Sequence, residues 1–481
     1  MGTQSNEKKA KRELGKFETF FPIIAMLAIV IIGKGFLSFN ITAMLVLAAS
    51  VLGCFAVYCG ISWNEMFGEI AAKIQKSLGA ILLLIIVGGL VGAWMSCGTI
   101  PMLIYYGVQI ISPQWLLVTS FLLTAIVSVC TGSSWSSAST IGIALMGIAT
   151  GLGANLPAVA GAVVAGAFFG DKMSPLSDTT NLAPIAAGSE LYSHIRHMFW
   201  TTGPATVISL VVYAAVGLSS GSGSSASSEV VTQMIAQLDS MYNWNLLLLL
   251  PLIIILAGSV LRKPSLPVMV LSAGVAIVEA KIFQGISFSN LFSAFVTGFS
   301  TNMITKAGFD NEAVIPEIAK LLNRGGMESM MSTVAVLLAA LAMAGILTSI
   351  GSLDKLLELI VSRAKTTGSL ILSTIATGWI MAMTTSNSHV SILITGELFQ
   401  EAYKKRGLAP VNLSRSLEDS VTLAMPCIPW ASSAIYMTTC TGIPTQQYLP
   451  WAILCWMCSI LAIIYGFTGI GIKKAGGNDE I

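Results

Sequence analysis

The chain has 481 residues, of which 54% are hydrophobic and 10% charged, with a formal net charge of +2. A soluble domain carries about 25% charged residues, so this chain has too little charge to dress a water-facing surface of its size. That net charge says nothing about nucleic acid, but no basic patch interleaved with aromatics is present, so no nucleic-acid partner is expected.

Apolar runs of bilayer-spanning length (about 20 residues) recur along nearly the whole chain, and the mean hydropathy is +0.80. In the N-terminal tail, 1–18, Lys8, Lys9, Lys11, Arg12 and Lys16 favour the cytoplasm. No small-residue cleavage pattern follows them, so no removable leader is expected. The spans Phe20–Leu37, Ile41–Gly60 and Leu78–Cys97 come next, with Lys73 and Lys76 marking a return to the cytoplasm. The apolar run Leu116–Val129 is then interrupted by Thr131-Gly132-Ser133-Ser134-Trp135-Ser136-Ser137 and resumes over Ile141–Ile148. A second interruption, Gly170-Asp171-Lys172-Met173-Ser174-Pro175-Leu176-Ser177-Asp178-Thr179-Thr180-Asn181, is the densest polar cluster in the sequence. His194, Arg196 and His197 precede the span Phe199–Leu218 and read as an interfacial cytoplasmic anchor. The stretch 219–242, rich in Ser and Gly and free of Lys and Arg, reads as an external linker between repeats 19–218 and 243–472.

The second repeat opens with Leu246–Leu261, whose cytoplasmic end carries Arg262 and Lys263, then Val268–Phe283 and Val334–Ile350. The run Leu370–Met383 breaks at Thr384-Thr385-Ser386-Asn387-Ser388-His389 and resumes over Ile392–Leu398, with Lys404-Lys405-Arg406 beyond. After Trp451–Ile472, Lys473 and Lys474 place the tail 473–481 inside. His389 reads as a cap for its broken helix. The eight cysteines, including Cys455 and Cys458, lie mostly in apolar runs and read as small fillers, so neither a cofactor nor a resident metal is expected.

The halves echo each other. Gly92-Ala-Trp-Met-Ser96-Cys-Gly98 matches Gly345-Ile-Leu-Thr-Ser349-Ile-Gly351, and Thr131-Gly-Ser133-Ser134 matches Thr385-Ser-Asn387-Ser388. Leu176-Ser-Asp178-Thr-Thr-Asn-Leu182 likewise echoes Leu417-Glu-Asp419-Ser-Val-Thr-Leu423. Their charges give the halves opposite orientations, the sequence sign of an inverted-topology repeat. The expected fold is an all-α polytopic membrane protein of about ten spans, plus two broken or re-entrant hairpins.

Broken helices at membrane depth free backbone carbonyls, and with hydroxyls and carboxylates these supply the hard oxygen ligands that small cations prefer. Asp178 and Asp419 are the first candidates for a sodium and proton site, followed by Asp171 and Glu418. Ser133, Ser134, Ser177, Thr179, Thr180, Asn181, Asn387, Ser388 and Ser420 are candidates for the substrate pathway, with Lys172 and Arg415 as charge partners. A carboxylate that must hold either a sodium ion or a proton links the two fluxes. Near neutral pH this requires tighter proton binding than that of a free Asp, at about 3.9. A channel would instead show a continuous polar stripe. No Ser/His/Asp or HExxH arrangement suggests an enzyme, and no GxxxxGK[ST] loop suggests ATP-driven transport.

Thr131-Gly-Ser-Ser-Trp135, Gly170–Ala183, Leu413–Ser420, Pro429-Trp430 and Ile443–Trp451 resemble the NhaC family of bacterial sodium/proton antiporters. The resemblance implies exchange of sodium for protons across the cell membrane. Because that family also contains malate–lactate antiporters and amino-acid carriers, it leaves a small carboxylate or amino acid as an alternative cargo. Assembly as a homodimer is a further expectation. The chain departs from the family pattern over Val421–Ser433, where Ala431 follows Trp430 in place of Asn.

Overall fold

The computed structural model describes residues 15–37, 39–220, 228–261, 263–311 and 314–476. Lys8, Lys9, Lys11, Arg12 and Arg262, used above for orientation, lie outside them. In chain order the helices are α1 (Lys16–Val30), α2 (Ile41–Tyr58), α3 (Trp63–Cys97), α4 (Thr99–Ile110), α5 (Leu116–Thr131), α6 (Ser134–Ser137), α7 (Ile143–Gly151) and α8 (Leu156–Met173). There follow α9 (Asp178–Ala187), α10 (Leu191–Ser220), α11 (Ser228–Met241), α12 (Leu250–Val260), α13 (Ser265–Gln284), α14 (Phe288–Val296), α15 (Pro316–Leu322) and α16 (Met331–Ile350). The remainder are α17 (Ser352–Arg363), α18 (Thr367–Thr385), α19 (Ser388–Lys405), α20 (Pro410–Leu417), α21 (Ser432–Thr441), α22 (Thr445–Tyr448) and α23 (Ile453–Thr468).

No strand occurs among the described residues, which show one isolated bridge between Leu408 and Lys474. This is what lipid demands, because a helix satisfies its backbone hydrogen bonds within one segment. Nine described helices are long and apolar enough to cross a membrane, or up to eleven if each sharply bent pair counts as one span. The chain is a multi-pass membrane protein. Val207, Val211, Leu271 and Phe467 are exposed, as residues facing lipid would be.

The chain divides into two compact units. The first, Met1–Gln75 with Ala339–Arg363, contains α1, α2 and α17 and the adjoining parts of α3 and α16. The Phe21 and Phe55 rings meet at 4.8 Å between α1 and α2. Gly345 of α16 lies against α3, where a Cβ would stand 2.6 Å from the Ile70 Cα.

The second unit, Lys76–Leu338 with Ala364–Ile481, holds all the helix interruptions read from the sequence. Gly166 and Gly170 let α8 close against α5, and the Ser128 hydroxyl donates to the Ala167 carbonyl at 2.6 Å. Gly88 and Gly92 of α3 do not meet another long helix. They receive the backbone of the segment after α13, with the Gly326 N–H donating to the Gly88 carbonyl at 2.7 Å.

The stretch read as a linker contains α11, whose Met234, Leu238 and Met241 are buried. One expectation needs revision: His194 and His197 are not surface anchors. Both are buried in α10, and a His197 ring nitrogen lies 3.2 Å from the Asn412 side-chain oxygen.

The sequence echoes translate unevenly. After α5 the chain turns through Gly132 at φ 68, extends at Ser133 (φ −147, ψ 116) and restarts as α6. After α18 it turns through Ser386 at φ 54, extends at Asn387 (φ −137, ψ 119) and restarts as α19. These stretches are 254 residues apart, as the sequence suggested. The same offset pairs the break before α9 with the break before α21, because Asp178 and Ser432 open those helices. The residues preceding them match in conformation, Ser177 at φ −73, ψ 140 and Ala431 at φ −74, ψ 147. The echo of Asp178 with Asp419 does not correspond to this geometry. Asp178 follows its break, whereas Asp419 precedes one, on the π-helical turn Glu418–Thr422.

Candidate cation site

Each interruption needs a device that ends one helix and starts another. At the first, the Ser133 hydroxyl accepts from the Ser136 N–H at 3.2 Å, and at its counterpart Asn387 Oδ1 accepts from the Val390 N–H at 3.1 Å. Both are N-caps of the ordinary kind. Asn387 therefore does the capping expected of His389, and His389 instead lines a cavity. The Ser386 carbonyl accepts from the Ser432 hydroxyl at 3.0 Å, which ties the α18–α19 break to the start of α21. The α18–α19 pair is a hairpin with its arms side by side, since the Thr374 and Tyr403 hydroxyls lie 3.1 Å apart.

The cavity, of about 950 Å³, gathers parts of all four breaks. Ser133, Ser134 and Trp135 come from the first, Asp171, Asp178, Thr179 and Asn181 from the second, Asn387, Ser388 and His389 from the third, and Ser432, Ser433 and Tyr436 from the fourth. Exposed Lys76 and Lys263 also line it.

Asp171, in the last turn of α8, is held on both oxygens. Ser177 Oγ donates to Oδ1 and Ser134 Oγ to Oδ2, each at 2.6 Å. These charge-assisted bonds fix the carboxylate while leaving lone pairs for a further ligand. Asp178 is exposed to the cavity at the first position of α9.

Four of the carbonyls freed by the second break already accept a side-chain hydrogen bond. Thr180 Oγ1 donates to the carbonyls of Asp171 and Lys172 at 2.7 and 2.9 Å. Asn181 Nδ2 donates to those of Pro175 and Ser177 at 2.8 and 2.6 Å.

Asp419, Glu418 and Ser420 are fully buried and do not line the cavity. Asp419 Oδ1 is paired with the Lys172 ammonium and accepts from Thr201 Oγ1 at 2.9 Å. Its Oδ2 lies 3.9 Å from Arg415 Nε, and Arg415 Nη1 donates to the Gly471 carbonyl at 2.8 Å. The pairing of Lys172 and Arg415 with an acid, expected from sequence, thus converges on Asp419. The ion pair also brings Gly170–Asn181 against Ser414–Thr422. Neither Glu418 oxygen makes a hydrogen bond of good geometry. Cys455 and Cys458 are buried free thiols.

The sequence reading passed over Ser432, Ser433 and Tyr436. The signal that finds them is the 254-residue offset, which carries Asp178 and Thr179 onto Ser432 and Ser433.

The sequence pattern of the Na+/H+ antiporter family matches residues 166–470, which include all of these groups from Asp171 onward. The chain belongs to the Na+/H+ antiporter family. It is 48% identical to an uncharacterized Na+/H+ antiporter of Haemophilus influenzae, over 95% of this chain and 97% of that one. It is 36% identical to the Na+/H+ antiporter NhaC of Alkalihalophilus pseudofirmus, over 93% and 95% of the two chains. A malate-2H+/Na+-lactate antiporter of Bacillus subtilis is 32% identical over 94% of each. The resemblance to NhaC antiporters seen in the sequence is therefore a family relationship. The antiporter family's match also identifies the chain as a transporter, not an enzyme.

Proposed function

We propose that this antiporter-family member exchanges sodium ions for protons by alternating access, with Asp171 and Asp178 as the carboxylates for which the two cations compete. The observation that carries the reading is the cavity in which both acids meet the ends of four broken helices. Sodium requires a cage of hard oxygens, and the Asp171 and Asp178 carboxylates, the Asn181 amide oxygen and the Ser and Thr hydroxyls provide it. A proton arriving on the same carboxylates displaces the ion, so the fluxes are coupled through one site.

Asp419 stands outside this exchange in our reading. A carboxylate already neutralised by Lys172 and flanked by Arg415 has little to gain from a sodium ion. The same pairing weakens the organic-acid alternative at this cavity, since neither buried cation is left for a substrate carboxylate. Lys76 and Lys263 line the cavity, and by the excess of basic residues on cytoplasmic ends it opens inward. Both termini are then cytoplasmic, in a cell membrane, and the matched breaks are parts of an inverted-topology repeat.

The test uses the purified protein in liposomes, with an imposed sodium gradient and a pH-reporting dye inside. Asp171→Asn keeps the shape and one oxygen of the side chain but removes its charge and exchangeable proton. Exchange should disappear while the protein stays folded, and Asp178→Asn should do the same. Normal exchange with an unchanged pH profile in Asp171→Asn would sink this assignment.

A further inference from the structure

A second cavity, of about 550 Å³, lies beyond the first along α21. Ser432, Ser433 and Tyr436 of that helix line the first cavity, whereas Thr439 and Cys440 line the second. Tyr436 is fully buried, and its ring stacks on Trp135 with centroids 4.1 Å apart. Three residues of helix, about 5 Å of rise, separate Tyr436 from Thr439.

The two linings differ in charge. The first cavity contains Asp171 and Asp178. Among the described residues, the second has no acid in its lining and one charged side chain, Arg324. Arg324 is half-buried, and its guanidinium makes no hydrogen bond or ion pair among the described residues. Burial pulls its pKa down from the ordinary arginine value, and no acid opposes that shift. An arginine remains charged even so, and a desolvated charge without a partner is costly. Such a lining repels sodium and attracts an anion.

The remaining wall selects among anions. Thr297, Ser300, Asn323, Ser329 and Thr439 offer polar groups, and Val87, Val91, Ile143, Phe299 and Met330 form an apolar side. A halide or phosphate would leave that apolar side unused, whereas a short carboxylate lays its tail against it and presents two oxygens to the guanidinium fork. The floor is fixed: Gly298, Gly325 and Gly326 have φ of 114, 87 and 84, and Gly326 is bonded to Gly88 of α3.

We propose that Arg324 anchors a binding site for a small monocarboxylate with a short apolar tail, separate from the cation cavity. The inference does not depend on the antiport reading, because it concerns a different cavity and a different ligand charge.

The test is thermal unfolding of the detergent-purified, lipid-free full-length protein with sodium propionate, sodium chloride or sodium phosphate at equal sodium and ionic strength. A ligand that binds only the folded state raises the melting temperature. Propionate should raise it in the wild type. The apparent affinity should fall at least tenfold in Arg324→Gln, and Arg324→Lys should retain part of it. Thr439→Leu, which narrows the cavity and removes one of its polar wall groups without touching the charge, should also diminish the shift, so the proposal can be tested even if Arg324→Gln folds poorly. Three outcomes would overturn it: no shift with propionate in the wild type, an equal shift with chloride or phosphate, or an undiminished propionate shift in Arg324→Gln. The last is what a purely structural Arg324 beside Gly442, at the end of α21, would give. Liposome exchange without any organic anion separates the two readings. Its absence in the wild type would count against sodium/proton antiport and leave the propionate result standing.

Discussion

The break before α9 and the break before α21 share a backbone and differ in charge. Each covers the same four positions at an offset of 254 residues, and each is followed by a helix whose first residue lines the cation cavity. At that offset Asp178 faces Ser432, and Asp171 corresponds to Met425. The acids of the second region, Glu418 and Asp419, sit earlier, on a π-helical turn away from the cavity. A repeated backbone therefore does not imply repeated chemistry. One region presents carboxylates to the solvent path, while the other spends its aspartate on an ion pair that joins the two regions.

Breaking that ion pair should have the largest effect. Lys172→Met or Asp419→Asn alone leaves a buried charge unanswered and should cost about 3–5 kcal/mol, whereas the double variant should recover only part of it, because Arg415 loses its acid as well. Heat-induced loss of monodisperse detergent-purified protein measures this. If Asp419→Asn alone were as stable as the wild type yet failed to exchange sodium for protons, Asp419 would be a cation ligand and the contrast between the regions would fall.

The turn residues sharpen the comparison next. Gly132→Ala places a Cβ 2.6 Å from the Leu176 carbonyl carbon in a left-handed conformation. Strain and overpacking together should cost about 2–4 kcal/mol. Ser386, the one described non-glycine residue with positive φ, already bears the strain. Ser386→Gly should stay within about 1 kcal/mol of the wild type, because strain relief and added unfolded-state freedom offset each other. Equal sensitivity at both positions would mean that the turns are not equivalent.

Smaller effects separate the two rows of hydroxyls. Ser134→Ala removes a hydrogen bond to the Asp171 carboxylate, of a kind that contributes about 1.5–3 kcal/mol, so the sodium KM should rise about tenfold or more. Ser388→Ala, at the matching position, removes no hydrogen bond to an acid and should change KM less than about twofold by the same reasoning. Equal shifts would make the second region as much a cation ligand as the first. The caps should respond alike. Ser133→Ala and Asn387→Ala should each lower stability by about 1 kcal/mol, and a large difference between them would argue against a common backbone.

The sequence by itself determined the class of the molecule, since apolar runs of bilayer length permit little other than helices that satisfy their own backbone. It also located three of the four breaks. Gly132, Pro175 and the Thr/Ser/Asn clusters act on neighbouring backbone, and such local effects are legible in one dimension. The likeness of Thr131–Ser134 to Thr385–Ser388 survived into three dimensions for the same reason, because turns and caps are short-range. The assignment of each acid was decided only by tertiary structure. Asp419 and Asp178 look alike in their local sequences, but Asp419 is answered by Lys172, 247 residues away in the chain. Asp171 is distinguished by a hydroxyl from Ser134, 37 residues earlier. His194 and His197 read as surface residues until α10 is packed and buries them. Arg324 carries no sequence signal at all. An arginine after a short helix is ordinary, and only the folded chain shows a cavity lined by it with no acid among the described residues. Charge compensation acts through space between residues remote in sequence, so the ion pairs and cavities of this antiporter-family protein had to wait for the fold.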